Sequence, residues 1–180
     1  TIAALLQLQP AAEWTGHRLV KPYQSRREHM DRYSYHCGVI DAFNELISSG
    51  VREMAFSHPC ITRWQRDALI PFAETICSHY GTRFYPEDDL LITDLFPLSV
   101  CRNQFLLIFY RNPDTLSAYE HLKERKRQLL ERGRYQGENR RELALQLGKL
   151  LGYPETTIQQ MIDRNQDKEE LPCTTSNRPR

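Results

Sequence analysis

The stretch Gln104–Arg111, "QFLLIFYR", constrains this chain more than any other. A continuous apolar run this short, rich in Leu, Ile and Phe, reads as a strand at the centre of a sheet, because an edge or half-exposed strand would alternate polar and apolar residues. Asn112-Pro113-Asp114 then opens a helix: Asn caps it and Pro suits its first turn.

The elements around that strand follow from periodicity. Val39, Ile40, Phe43, Leu46 and Ile47 repeat at helical spacing, so a helix is expected over about 29–49, closed by "SSG" with Gly50 in the left-handed position. Residues 51–57 read as a buried strand. A second helix is expected over about 61–80, kinked at Pro71, with Arg63, Arg66 and Glu74 outward. "TRFY" and "LLITDLF" read as two strands, or one strand broken at a bulge, on either side of "PEDD". Helices follow over about 114–132, 138–151 and 155–163. Residues 10–27 show no clean period beyond a short strand at "HRLV". The expected fold is α/β: a small mixed sheet of three to five strands with helices packed on it. Residues 1–112 form the α/β core, 113–163 a helical C-terminal portion of the same domain, and 164–180 a polar, aperiodic and disordered tail.

Composition excludes some roles. The formal net charge is +1, so no global field favours nucleic acid or an anionic membrane. No apolar stretch approaches the roughly 20 residues that span a bilayer, and "TIAALLQLQP" lacks a secretory leader's basic start and cleavage pattern. The five cysteines, Cys37, Cys60, Cys77, Cys101 and Cys173, are scattered and odd in number. That is not a secreted disulfide framework, so a reducing cytoplasm is expected.

Geometry brings a site into view. The helix over 36–49 and the strand over 51–57 each extend about 20 Å by their rise per residue. A short joint makes them antiparallel, which sets His36 and Cys37 beside Ser57, His58 and Cys60. His29 lies two turns further back on the same side. If the next strand is parallel to the first, Asp94 reaches the same rim, where open α/β sheets bind ligands. Catalysis at such a mouth would use His36, His58, Cys60 and Asp94. His36, His58 and Cys60 could instead hold zinc or another divalent metal, although no ligand spacing here is diagnostic. The plainer reading makes His36 a hydrogen-bonded core residue and lets "HP" lead into the next helix.

Other clusters carry less. "CSH" at 77–79 falls at the far end of the returning helix, with Cys77 in the core and His79 against the helix dipole. "YPEDD" at 85–89 reads as a solvated turn. Arg125, Arg127, Arg132, Arg134 and Arg141, with Tyr135 to stack on a base, would serve an RNA- or nucleotide-contacting module. The interleaved Glu120, Glu124, Glu131, Glu138 and Glu142 favour a solvated helical face instead. Motifs for phosphate-binding loops, dinucleotide folds, serine hydrolases and zinc proteases are missing.

At 142–162, "ELALQLGKLLGYPETTIQQMI" resembles a segment of some uncharacterised prokaryotic proteins, in which a helix ending in Leu-Gly-Tyr-Pro leads into a short helix. There cysteines follow the Tyr-Pro-Glu; here Thr156 and Thr157 replace them, so no metal or redox role carries over, and the resemblance implies no activity. The leading expectation is a cytoplasmic ligand-binding or accessory protein, with a protein partner or small molecule as ligand and a homodimer through an edge beside "QFLLIFY" as a further option. A small metal-dependent enzyme and the nucleic-acid module are the alternatives.

Overall fold

A computed structural model of the chain describes residues 31–170. The expected strand at "HRLV", His29 and Cys173 lie outside the described residues. Contacts divide the chain between Tyr35 and His36, and the unit that begins at His36 carries the sheet.

Three strands, β1 (Met54–Phe56), β2 (Arg83–Glu87) and β3 (Leu106–Tyr110), pair in the order β1–β3–β2. The apolar run is thus the central strand. Both neighbours pair with it antiparallel, Ala55 opposite Phe109 on one side and Tyr85 opposite Ile108 on the other. The sheet is therefore wholly antiparallel rather than mixed: β1 and β2 do run the same way, but β3 lies between them. Among the described residues the sheet's outer edges beside β3 are those of β1 and β2.

Every residue of β3 is buried, because side chains alternate between two covered faces. Leu106, Ile108 and Tyr110 join Met54 in a layer with Tyr119, Leu143, Leu147, Ile158 and Ile162. Leu107 and Phe109 join Ala55 in the other, with Ile40, Ile47, Ala73 and Cys77. Burying one such side chain contributes about 1.5–3 kcal/mol, so this strand anchors both layers.

Helix α1 (Arg32–Ser48) covers one face with α2 (Arg63–Asp67) and α3 (Ile70–Tyr80). Gly50 ends the turn after α1 at φ +77°, a conformation costly for any residue with a Cβ. The expected single helix over 61–80 is two helices. Thr62 caps α2 by accepting from the Gln65 N–H, and Pro71 stands in the first turn of α3, so the proline starts a helix instead of kinking one. Asn44 is buried in α1, where its amide donates to the Ile40 carbonyl and its oxygen accepts from the Thr82 hydroxyl at 2.5 Å.

The opposite face carries the helical C-terminal portion, α5 (Pro113–Glu131), α6 (Gly137–Leu150) and α7 (Glu155–Arg164), with the short α4 (Leu98–Cys101) before β3. Among the described residues no helix is long and apolar enough to cross a membrane. Tyr153 of the Leu-Gly-Tyr-Pro turn sits under the Arg52 guanidinium, 5.1 Å from its ring centre, with Phe96 edge-on to it.

Two sequence expectations fail here. "LLITDLF" is not a strand; residues 90–97 form loop and turn. Its apolar residues are satisfied by packing: Leu91 and Leu95 enter the core. Residues 165–170 are not disordered either. They form a strap held by backbone and side-chain bonds: Asn165 donates to the carbonyls of Asp94 and Phe96, and Asp167 accepts from the N–H groups of Leu98 and Ser99. Polar composition misleads because those polar side chains satisfy buried backbone groups.

Candidate functional site

The two histidines meet. Their ring centres are 5.1 Å apart and the rings are edge to face, as the antiparallel packing of α1 on β1 requires. His36 is half-buried and His58 exposed, with Cys37 half-buried on the same helix. Cys60 is buried, and its backbone bridges to Phe105 through N–H···O bonds of 2.8 and 2.9 Å. Among the described residues no three His, Cys, Asp or Glu side chains gather closely enough to hold a metal.

Asp94 does not join this mouth. It follows β2 as expected, but the chain carries it to the layer of α5–α7. There Arg140 grips both carboxylate oxygens at 2.6–2.9 Å, and both side chains are largely buried. The expectation assumed a strand over 90–96; a loop in its place redirects the side chain.

The more complete constellation lies at the carboxyl end of β2. A cleft of about 490 Å³ opens between residues 85–92 and α5. Its apolar lining comes from Leu90, Leu91 and Ile92, with Leu130 41 % exposed. Five carboxylates line it, from Glu87, Asp89, Glu120, Glu124 and Glu169, against three cations, Lys123, Lys126 and Arg127.

Most of these charges are spent. Glu87 is 2 % exposed; it accepts from Lys123 Nζ at 3.1 Å through both oxygens, and from the Asp89 N–H at 2.7 Å. Arg127 bridges Glu124 and Glu131, and its hydrogen bonds hold the Glu124 carboxyl down at about 2. Lys126 donates to the Ile92 carbonyl at 2.8 Å and to Glu169 at 2.6 Å. Two rim carboxylates stay open to solvent. The Asp89 side chain is 95 % exposed and only 3.8 Å from Lys123; Glu120 is exposed on α5.

A buried arginine shapes the rim. Arg66, 3 % exposed, donates to Asp67 and Asp88 at 2.6 and 2.9 Å and to the Glu87 carbonyl at 3.3 Å. Behind this lining, Tyr119 accepts from the Leu91 N–H at 3.0 Å; burial, then the Glu87 charge, pushes its phenol well above the ordinary value.

"YPEDD" is thus no solvated turn, since Glu87 and Asp88 are anchored by Lys123 and Arg66. Glu87 missed detection because its partners lie 21 and 36 residues away. No local signal marked it, because Arg83 and Tyr85 on the same face of β2 are both exposed. The basic set is dispersed: Arg125 pairs with Glu142, Arg127 with Glu124 and Glu131, and Arg141 with Asp163, while Arg132 and Arg134 are exposed. Tyr135 is buried and offers no face to a base.

No protein-family model, curated protein or solved structure matches the chain.

Proposed function

We propose that this chain is a binding protein whose cleft between residues 85–92 and α5 takes a ligand with a positively charged nitrogen on an apolar body. One observation carries the reading: Leu90, Leu91, Ile92 and Leu130 share the cleft with Asp89 and Glu120, which stay exposed to solvent, while every cation of the cleft already faces a carboxylate, Lys123 facing Asp89 at 3.8 Å as well as Glu87. An ammonium or guanidinium would find acceptors there, and its apolar part would cover Leu91, Ile92 and Leu130. Binding is favoured over chemistry because the interior charges are neutralised in pairs, whereas a general acid or base must be poised to exchange its proton. We place the protein in the cytoplasm, where its buried thiols at Cys60, Cys77 and Cys101 suit a reducing environment.

Benzylammonium and its neutral isostere benzyl alcohol test this by amide-shift titration of the full chain. An exposed ion pair is worth roughly 0.2–1 kcal/mol, so with two such acceptors benzylammonium should bind at least about twofold more tightly. Asp89→Asn with Glu120→Gln should erase that preference. Equal affinity for the two probes, or shifts confined to residues away from the cleft, would overturn the reading.

The 5.1 Å His36–His58 approach favours a second reading, a small metal-dependent enzyme. Two imidazoles at that separation can reach one divalent ion through bonds of about 2 Å, with solvent completing the shell, since no third His, Cys, Asp or Glu side chain joins them among the described residues. Elemental analysis should then give one zinc per chain, lost in His58→Ala; protein purified in zinc-supplemented medium without metal would exclude it.

A further inference from the structure

Behind Lys126 and Glu169 of the cleft lining stands an arrangement that ion pairing alone does not explain. Lys126 is nearly buried, and the carboxylate opposite it, Glu169, belongs to the strap after α7 and not to a helix or strand. Glu169 bonds Lys126 at 2.6 Å, and its backbone carbonyl accepts from Arg140 at 2.9 Å. Tyr135 is 2 % exposed and lies between two cations, 5.0 Å from Lys126 and 5.4 Å from Arg140 by its ring centre. Among the described residues its buried hydroxyl has no hydrogen-bond partner. A buried O–H left without an acceptor costs free energy, and such a group in a native fold calls for a functional or solvent explanation.

We infer that Lys126 and Tyr135 form a carboxylate subsite which Glu169 fills in cis, and that a carboxylate on the ligand enters by displacing Glu169. This rests on the cleft being a binding site, and it narrows the ligand to one bearing a carboxylate as well as a cationic nitrogen. Displacement is local. The strap remains tied upstream by Asn165 and Asp167, so only its last residues need swing away. Arg140 and Asp94 neutralise each other, so Lys126 becomes the uncompensated buried charge once Glu169 leaves and demands a new anion. Two donors, the Lys126 ammonium and the Tyr135 hydroxyl, suit the two oxygens of a carboxylate. Glu169 in its docked position supplies an oxygen to the first alone. Because Glu169 competes for the subsite, the affinity of any external carboxylate is reduced by the fraction of time the strap is closed.

Acetate, titrated into the full chain and read from the amide shifts of Ile92 and Tyr135, tests this. Glu169→Gln removes the competing charge but keeps the strap's length and its anchors. Acetate should bind this variant at least about tenfold more tightly than the wild type, about 1.4 kcal/mol. Adding Lys126→Met should abolish binding, and adding Tyr135→Phe should weaken it. Equal acetate affinity with and without Glu169, or binding that survives Lys126→Met, overturns the inference, as does a phosphate affinity above that for acetate. Benzylammonium in the same samples separates the two readings. If it still binds at Asp89 and Glu120 while acetate does not respond to Glu169, the cleft stands and only the subsite falls.

Discussion

Gly148 in α6 faces Ile158 of α7 so closely that a Cβ built on it would lie 2.6, 2.8 and 2.9 Å from three of the isoleucine's side-chain carbons. Gly148→Ala therefore sets two effects against each other. Helix propensity alone favours alanine by about 0.8–1 kcal/mol. Overpacking a filled core costs typically 1–3 kcal/mol. The upper part of that range applies here, because all three contacts come from one β-branched side chain whose rotamer is nearly fixed in a helix. The net expectation is a loss of roughly 1–2 kcal/mol. Ile158 is fully buried, so Ile158→Ala alone should cost about 2–5 kcal/mol. In the double variant the methyl added by Gly148→Ala occupies space that the isoleucine has vacated. The pair should thus be less destabilised than the sum of the singles by at least about 1 kcal/mol. Urea unfolding followed by circular dichroism measures all four proteins, provided the m value is unchanged. Stabilisation by Gly148→Ala, or additivity within about 0.5 kcal/mol, would refute the close approach of α6 and α7.

Three further outcomes are expected. Arg66→Met should destabilise by about 2–4 kcal/mol, since it strips donors from buried carbonyl oxygens and an ion pair, whereas Asp88→Asn should cost under about 1 kcal/mol because Asp88 is partly solvated; chemical denaturation of the two variants reads the asymmetry. Burial, then the Asp167 charge, pushes the Cys101 thiol up to about 11 from the ordinary 9.0, so its folded form holds the proton more tightly. The stability it contributes is full below pH 9 and is lost towards pH 11, and Cys101→Ala should flatten that alkaline decline in thermal melts. The Glu124 carboxyl, lowered from 4.5 to about 2 by hydrogen bonds from Arg127 and then Gln128, stabilises the fold above pH 4.5 and loses this as pH falls to 2; Glu124→Gln should make melting less steep in that window.

Sequence periodicity carried the backbone layout well where one kind of local pattern dominated. "QFLLIFYR" is central because it is apolar on both faces, and the three helices after it follow from their spacing and from Asn112. The turn at Ser48–Gly50 let rise-per-residue arithmetic bring His36 to His58. That arithmetic failed at "LLITDLF", where apolar residues sit in a loop whose packing partners come from α5 and α6. It failed again at "DRNQDKEE", which reads as tail but is held by carbonyls of residues 94 and 96 and N–H groups of 98 and 99. The cleft was illegible for the same reason. Glu87 with Lys123, Lys126 with Glu169 and Asp94 with Arg140 are pairs 36, 43 and 46 residues apart. Only the tertiary fold decides which of many available charges become neighbours, and composition treats them all as surface.

A crystal soaked in 4-bromobenzylammonium addresses the cleft most directly, because the bromine's anomalous signal locates the ligand without interpretation of side chains. The expected peak lies over Leu91, Ile92 and Leu130, with the ammonium between Asp89 and Glu120. A bromine peak anywhere else on the molecule, or none at saturating ligand, would contradict the assignment of this cleft as the binding site.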